Sequence, residues 1–180
     1  MMYNTVKISN FNVSNNLPFF LIAGPCSIEN KDHAIHHASV IKEICKKLKI
    51  NFVYKSSFDK ANRTSIKSSR GVGLEKALNI FQELKKVYKC AIITDVHEPA
   101  QCSEVSKFVD IIQIPAFLSR QTDLLISAAN TKKAVMVKKG QFSAPWDMNN
   151  VVNIRPISKT YKRKFGKKEK WFLLFKKSFD

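Results

Sequence analysis

The chain has 180 residues, 44% hydrophobic and 25% charged, a composition ordinary for a soluble globular protein and long enough to bury one domain-sized core. Its formal net charge is +17, and residues 151–180 alone hold 10 of the 31 Lys and Arg but only 2 of the 14 Asp and Glu. No run reaches the ~18 apolar residues of a membrane span. No basic segment followed by an apolar one marks a secretory signal, and four scattered cysteines without a C-x-x-C pair predict reduced thiols. These features argue against membrane-spanning and disulfide-built classes and predict a cytoplasmic protein.

Residues 1–16 are short and polar, compatible with a small hairpin. Residues 19–23 (FFLIA) form a continuous apolar run that ends in Gly24-Pro25-Cys26-Ser27. Continuous apolar character, rather than alternation, predicts a strand covered on both faces, as in a parallel sheet. Residues 30–48 place Ile35, Val40, Ile41, Ile44 and Leu48 at helical spacing. The cycle then repeats, with strands over 50–54, 90–93, 109–114 and 134–137. Helices are predicted over 74–87, 99–108 and 119–129, the last N-capped by Ser119 with Asp123 in its first turns.

Five strands with four intervening helices imply a parallel sheet. Polar clusters follow every strand: Cys26-Ser27, residues 55–65, residues 95–98, Gln113 with Phe117, and residues 138–141. One such loop could be solvated surface; five at the same end of a sheet are the pattern of an active-site face. The densest is YKSSFDKANRTS (54–65), which sets cations beside hydroxyl and amide donors and so suits phosphate or carboxylate groups. A (β/α) barrel and a doubly wound sheet fit this rhythm equally well.

The clusters read together resemble the 3-deoxy-D-manno-octulosonate 8-phosphate synthase (2-dehydro-3-deoxyphosphooctonate aldolase) family. The resemblance runs from about residue 12 to 150 and rests on AGPCSIE (23–29), YKSSFDKANRTS (54–65), RGVGLE (70–75), FQELK (81–85), ITDVHEP (93–99), IIQIPAFLSRQTDL (111–124) and VKKGQFSAPWDM (137–148). The sibling 3-deoxy-arabino-heptulosonate 7-phosphate synthases share the GPCS turn, but KANRTS is similar to the octulosonate enzymes.

The resemblance implies an α/β chain of the (β/α)8 TIM-barrel class with about the first five βα units present, residues 1–152 forming a partial barrel domain. It implies condensation of phosphoenolpyruvate with D-arabinose 5-phosphate, release of phosphate, a role in lipopolysaccharide synthesis, and a homotetramer. By position, Lys55, Lys60 and Lys138 resemble the phosphoenolpyruvate ligands, with Gln113 and Ala116 lining that pocket. Asn62, Arg63 and Thr64 resemble the sugar-phosphate side, Arg120 a residue that reaches a neighbouring subunit's sugar phosphate, and Asp95 part of the site floor. Lys60, Asn62 and Asp95 are the expected catalytic residues.

Cys26 has two readings. A lone cysteine is commonly a small buried hydrophobe. GPC at this turn, with KKGQF later, resembles instead the metal-dependent branch of the family, where this thiol joins a His, a Glu and an Asp around a divalent metal of zinc, iron or manganese type. Those other ligands would lie beyond residue 180. His33, His36 and His37 read as a solvent face of one helix without a carboxylate partner; His97 follows the third strand and could stand near the site. Gly71-Val72-Gly73 reads as a turn leading into a helix rather than a phosphate loop.

The resemblance ceases near residue 152, where a (β/α)8 barrel of about 250 residues would continue. Residues 153–180 are a Lys-rich, non-family segment, expected to be poorly ordered and compatible with a reading-frame shift or truncation. The missing strands predict an open edge on the fifth strand, a tendency to aggregate and little or no turnover by the chain alone. A second reading is a non-enzymatic protein whose tail, with Tyr161, Phe165, Trp171 and Phe172 among its cations, binds nucleic acid or acidic surfaces.

Overall fold

The computed structural model describes residues 5–152 and the backbone of residues 171–174. It opens with an antiparallel hairpin, β1 (Val6–Ile8) and β2 (Phe11–Val13), in agreement with the hairpin read from the sequence. Then β3 (Phe20–Ala23), β4 (Asn51–Lys55), β5 (Ala91–Asp95), β6 (Ile111–Ile114) and β7 (Ala134–Lys138) line up in parallel. The connecting helices are α1 (Lys31–Lys47), α2 (Leu74–Tyr88), α3 (Pro99–Val105) and α4 (Thr122–Asn130).

The strand order is sequential, β3-β4-β5-β6-β7, with no reversal. A doubly wound sheet must reverse its strand order, so the alternative left open by periodicity is removed and the sheet is an arc of a (β/α) barrel. Alternation along each strand separates two cores. Phe52, Tyr54, Ile92, Ile112 and Val135 face the helices, whereas Val53, Ala91, Ile93, Ile111 and Met136 face the concave side. There they meet Val6, Ile8 and Val13 of the hairpin, which fills part of the barrel interior.

Three local expectations change. Ser119 is not the N-cap of α4: Pro115 starts a 3-10 turn over Ala116–Leu118, Ser119 closes it through its N–H to the Ala116 carbonyl, and α4 begins after Gln121. Ser119 is instead buried, and a Cβ on Gly140 would lie 3.0 Å from its hydroxyl, so it packs against the loop after β7. On α1 the core face is built by Ala34, Ala38 and Cys45, with Ile35 and Ile41 beside them, while Val40, Ile44 and Leu48 stand exposed. The apolar stripe is wider than the surface it covers: small residues make the close approach, and Val40, Ile44 and Leu48 fall outside it.

The third concerns the edge after β7. A 3-10 turn, Pro145–Asp147, leads into α5 (Met148–Val152), and the backbone of β8 (Trp171–Leu174) pairs in parallel with β7 from Val135 to Lys138. The edge of β7 expected to be open is therefore paired, by the apolar WFLL run of the basic segment. Residues 153–170 and 175–180, on which the remaining tail expectations fall, lie outside the described residues.

Candidate active site

The register explains how one face acquires its chemistry. Lys55 shares the parity of Val53, Asp95 that of Ile93, Gln113 that of Ile111, and Lys138 that of Met136, so all four continue the concave faces of their strands. They stand at or next to the C-terminal ends of β4, β5, β6 and β7. With Lys60, Asn62, His97 and Ala116 they line a cavity of about 270 Å³. Seven predicted site residues thus meet in one cavity: Lys55, Lys60, Asn62, Asp95, Gln113, Ala116 and Lys138.

The rest stand elsewhere. Arg63 and Thr64 lie on the exposed β4–α2 loop, where Arg63 Nε donates to the Ser69 carbonyl at 3.0 Å. Arg120 lines a different cavity, of about 430 Å³, with Thr122, Phe142, Ser143 and Asp147. Cys26 lines neither, yet it is exposed, so the buried-hydrophobe reading is corrected. The Cys26 thiol is instead acidified: a hydrogen bond from Lys60 outweighs the opposing effect of burial, and the charges of Lys60, Lys55 and Arg63 lower it further.

The loops are held by specific bonds. The Ser56 hydroxyl donates to the Pro25 carbonyl and the Thr94 hydroxyl to the Ser56 carbonyl, both at 2.8 Å, joining the ends of β3, β4 and β5. Gly24 has φ +152°, and a Cβ there would fall 2.1 Å from the Lys55 carbonyl oxygen; only glycine lets β3 approach β4 so closely. Gly71, at φ +118°, is similarly pressed on the Phe58 carbonyl, and Gly73 is the N-cap of α2, so this glycine pair is the turn leading into the helix. Asp59 takes both arms of the Arg70 guanidinium, which holds its carboxyl below the ordinary range. Lys60 Nζ donates to the Ser57 hydroxyl at 3.0 Å.

Electrostatics divide the cavity's groups. Burial pushes Lys55 below the usual lysine range, and Lys60 and Lys138 push the same way while Asp95 opposes them. Asp95 shows the reverse balance: burial raises it, but the His97 contact, the Lys55 charge and the Ser57 hydroxyl together bring it down to about 2. Asp95 Oδ1, Gln113 Oε1 and His97 Nδ1 are buried without a hydrogen-bond partner among the described residues. Native proteins pair such atoms; the Asp95 and Gln113 oxygens are acceptors that call for a hydroxyl or water donor, while the three lysines of the same cavity supply the charge that attracts an anion. His97 is the site residue that the sequence placed only loosely; its signal was position, two residues after a strand-end aspartate.

The metal reading of Cys26 was tested against its surroundings. Among the described residues no group of three or more His, Cys, Asp or Glu side chains could hold an ion, so one thiol stands alone and no step is derived through a metal. Among the same residues no helix is long and apolar enough to cross a membrane.

A (β/α) barrel arc with lysines, an aspartate and a glutamine converging at the C-terminal strand ends defines a barrel-class chain with a cation-lined site face. The sequence profile of the DAHP synthetase I family matches residues 5–159, and the chain belongs to that family. It is 59% identical over 149 residues to proteins named 2-dehydro-3-deoxyphosphooctonate aldolase from Brucella ovis, Brucella canis and Brucella suis. The match covers 83% of this chain and 54% of each relative, so the chain spans about half the length of the curated relatives it matches.

Proposed function

We propose that this chain carries the substrate-gathering half of a 2-dehydro-3-deoxyphosphooctonate aldolase, which condenses phosphoenolpyruvate with D-arabinose 5-phosphate and releases phosphate. The observation that carries the reading is the convergence of Lys55, Lys60 and Lys138 on one cavity with the unpartnered polar atoms of Asp95, His97 and Gln113. Phosphoenolpyruvate brings a phosphate and a carboxylate within a few bonds of each other, and clustered ammonium groups answer both. Lys60 and Asn62 stand where the sugar aldehyde would meet C3 of the enol, Asp95 orders the lysines around it, and Arg63, Thr64 and Arg120 are assigned to the sugar phosphate. Positioning supplies much of the rate in a reaction between two bound anions.

In this reading the product serves lipopolysaccharide synthesis in the cytoplasm and the working enzyme is a homotetramer. A divalent metal at Cys26 belongs to the same proposal and would need ligands beyond those described. The family match supports this reading over a nucleic-acid-binding tail, and the names of the relatives support it over the heptulosonate sibling.

Calorimetric titration with phosphoenolpyruvate tests the proposal. The chain is expected to bind it, with affinity reduced at least about tenfold by Lys55→Ala and by Lys138→Ala, since a charge-assisted bond contributes ~1.5–3 kcal/mol. Absence of binding, or binding indifferent to both substitutions, overturns the reading. Phosphate release in the presence of arabinose 5-phosphate then reports whether the chain alone completes the reaction, for which little or no turnover is expected.

A further inference from the structure

The first half of α1 carries His33, His36 and His37, which the candidate active site does not use. His33 and His37 are one helical turn apart, with ring centroids 4.3 Å from each other. His37 Nδ1 lies 2.9 Å from the His33 carbonyl oxygen. A carbonyl can only accept, so the proton sits on His37 Nδ1 and the lone pair is on Nε2. His33 Nδ1 is buried without a partner among the described residues, which leaves Nε2 as that ring's accessible nitrogen. Glu29 Oε1 stands 3.9 Å from His33 Nε2, too far for a hydrogen bond but close enough to add negative charge, so the expected absence of a carboxylate beside these histidines is corrected.

We propose that His33 and His37 form a chelating pair for a late first-row divalent metal ion, of the Ni2+, Cu2+ or Zn2+ type, on the outer surface of α1. Imidazole nitrogens suit these ions, and histidines at i and i+4 present two such nitrogens from one helix face. The His37 ring already donates its other N–H to a backbone carbonyl, the outer contact that orients a ligating imidazole. Because among the described residues no third His, Cys, Asp or Glu closes around the pair, water completes the coordination and Glu29 contributes charge. Neither His33 nor His37 lines the cavity that holds Lys55, Lys60 and Lys138. His33 lies about 200° around α1 from Lys31, and Lys31 pairs with Glu83 of α2 at 2.8 Å.

An ion held across one turn clamps the start of α1, and binding to the folded chain alone raises its thermal stability by mass action. NiCl2 is titrated calorimetrically into the chain and into its Cys26→Ser variant, with thermal unfolding followed in parallel. Both proteins are expected to bind about one ion per chain and to gain thermal stability. His33→Gln and His37→Gln should each weaken binding at least tenfold and abolish the gain, with helical circular dichroism unchanged, whereas His36→Gln, whose exposed ring stands edge-on to His37, should leave both intact. No nickel binding by the wild-type chain, binding that survives both His33 and His37 substitutions, or loss of binding in Cys26→Ser overturns the proposal.

Discussion

His97 Nε2 stands 3.5 Å from Asp95 Oδ2, and the two side chains are only 13% and 11% exposed. The contact ties the last residue of β5 to the loop that follows it and turns the carboxylate toward Lys55. Each partner keeps one buried polar atom, Asp95 Oδ1 and His97 Nδ1, with no hydrogen-bond partner among the described residues. The pair is therefore bonded to itself on one side and turns its remaining polar atoms to other partners.

A carboxyl held at about 2 in the folded chain against an ordinary 3.8 adds stability above the ordinary value, and that stability is lost as pH falls from about 4 towards 2. The contribution is on the order of 2 kcal/mol. Urea unfolding measured between pH 5 and pH 2 should show a steeper loss in the wild type than in Asp95→Asn. His97→Gln removes one of the groups that hold the carboxyl down and should shift the loss to higher pH. Parallel curves for all three proteins would contradict the coupling.

Lys138 and Lys139 are adjacent and chemically alike, but the fold separates them. Lys138 lines the cavity, while Lys139 Nζ donates to the carbonyls of Gly140 at 2.7 Å and Ser143 at 2.9 Å. Lys138→Met should weaken phosphoenolpyruvate binding without lowering the thermal midpoint. Lys139→Met should lower the midpoint and raise proteolysis of the loop after β7, with a smaller effect on binding. Limited proteolysis beside calorimetry distinguishes the two; an identical response of both variants would refute the division of labour.

The Cys26 thiol, exposed and held below the usual thiol range by Lys60, should be the first of the four cysteines to react with iodoacetamide. Burial pushes Cys45, Cys90 and Cys102 upward, Cys102 to about 11, so these should be slow until the chain unfolds. The pH at which Cys26 alkylation is half-maximal should rise in Lys60→Met. Peptide mapping by mass spectrometry reads both effects, and preferential labelling of another cysteine would overturn the assignment.

Gly24→Ala would drive a methyl group into the Lys55 carbonyl and strain a φ of +152°. A loss of about 2 kcal/mol or more is expected from the clash and the backbone strain combined. Ala substituted at Gly73, where nothing lies within 4 Å of the added carbon, is the control for φ strain alone and should cost less. Chemical denaturation of the two variants measures the difference.

Much of this arrangement was legible in the residues themselves. Continuous apolar runs and helical spacing located β3 to β7 and α1 to α4 to within a few residues, because burial on both faces of a parallel sheet leaves that pattern. The family resemblance named seven residues that share the cavity, and side-chain parity accounts for four of them, Lys55, Asp95, Gln113 and Lys138, on the inner face of their strands. What misled was local ambiguity: PAFLS satisfies a 3-10 turn as readily as a helix start, and the apolar residues of α1 exceed what its contact with the sheet can cover.

Only tertiary structure decided among options that the local chemistry leaves equal. Strand order, not strand content, separates a barrel arc from a doubly wound sheet, because topology lies in which strands pair. Packing alone chose Lys138 over Lys139 for the cavity, exposed Cys26 beside Lys60, and set His97 against Asp95. The sequence by itself determined that a parallel α/β sheet would end in an anion-attracting rim, since periodicity and charge are properties of the residues. Which of those charges face one another is a property of the fold, because Coulomb and hydrogen-bond energies depend on distances that no linear spacing specifies.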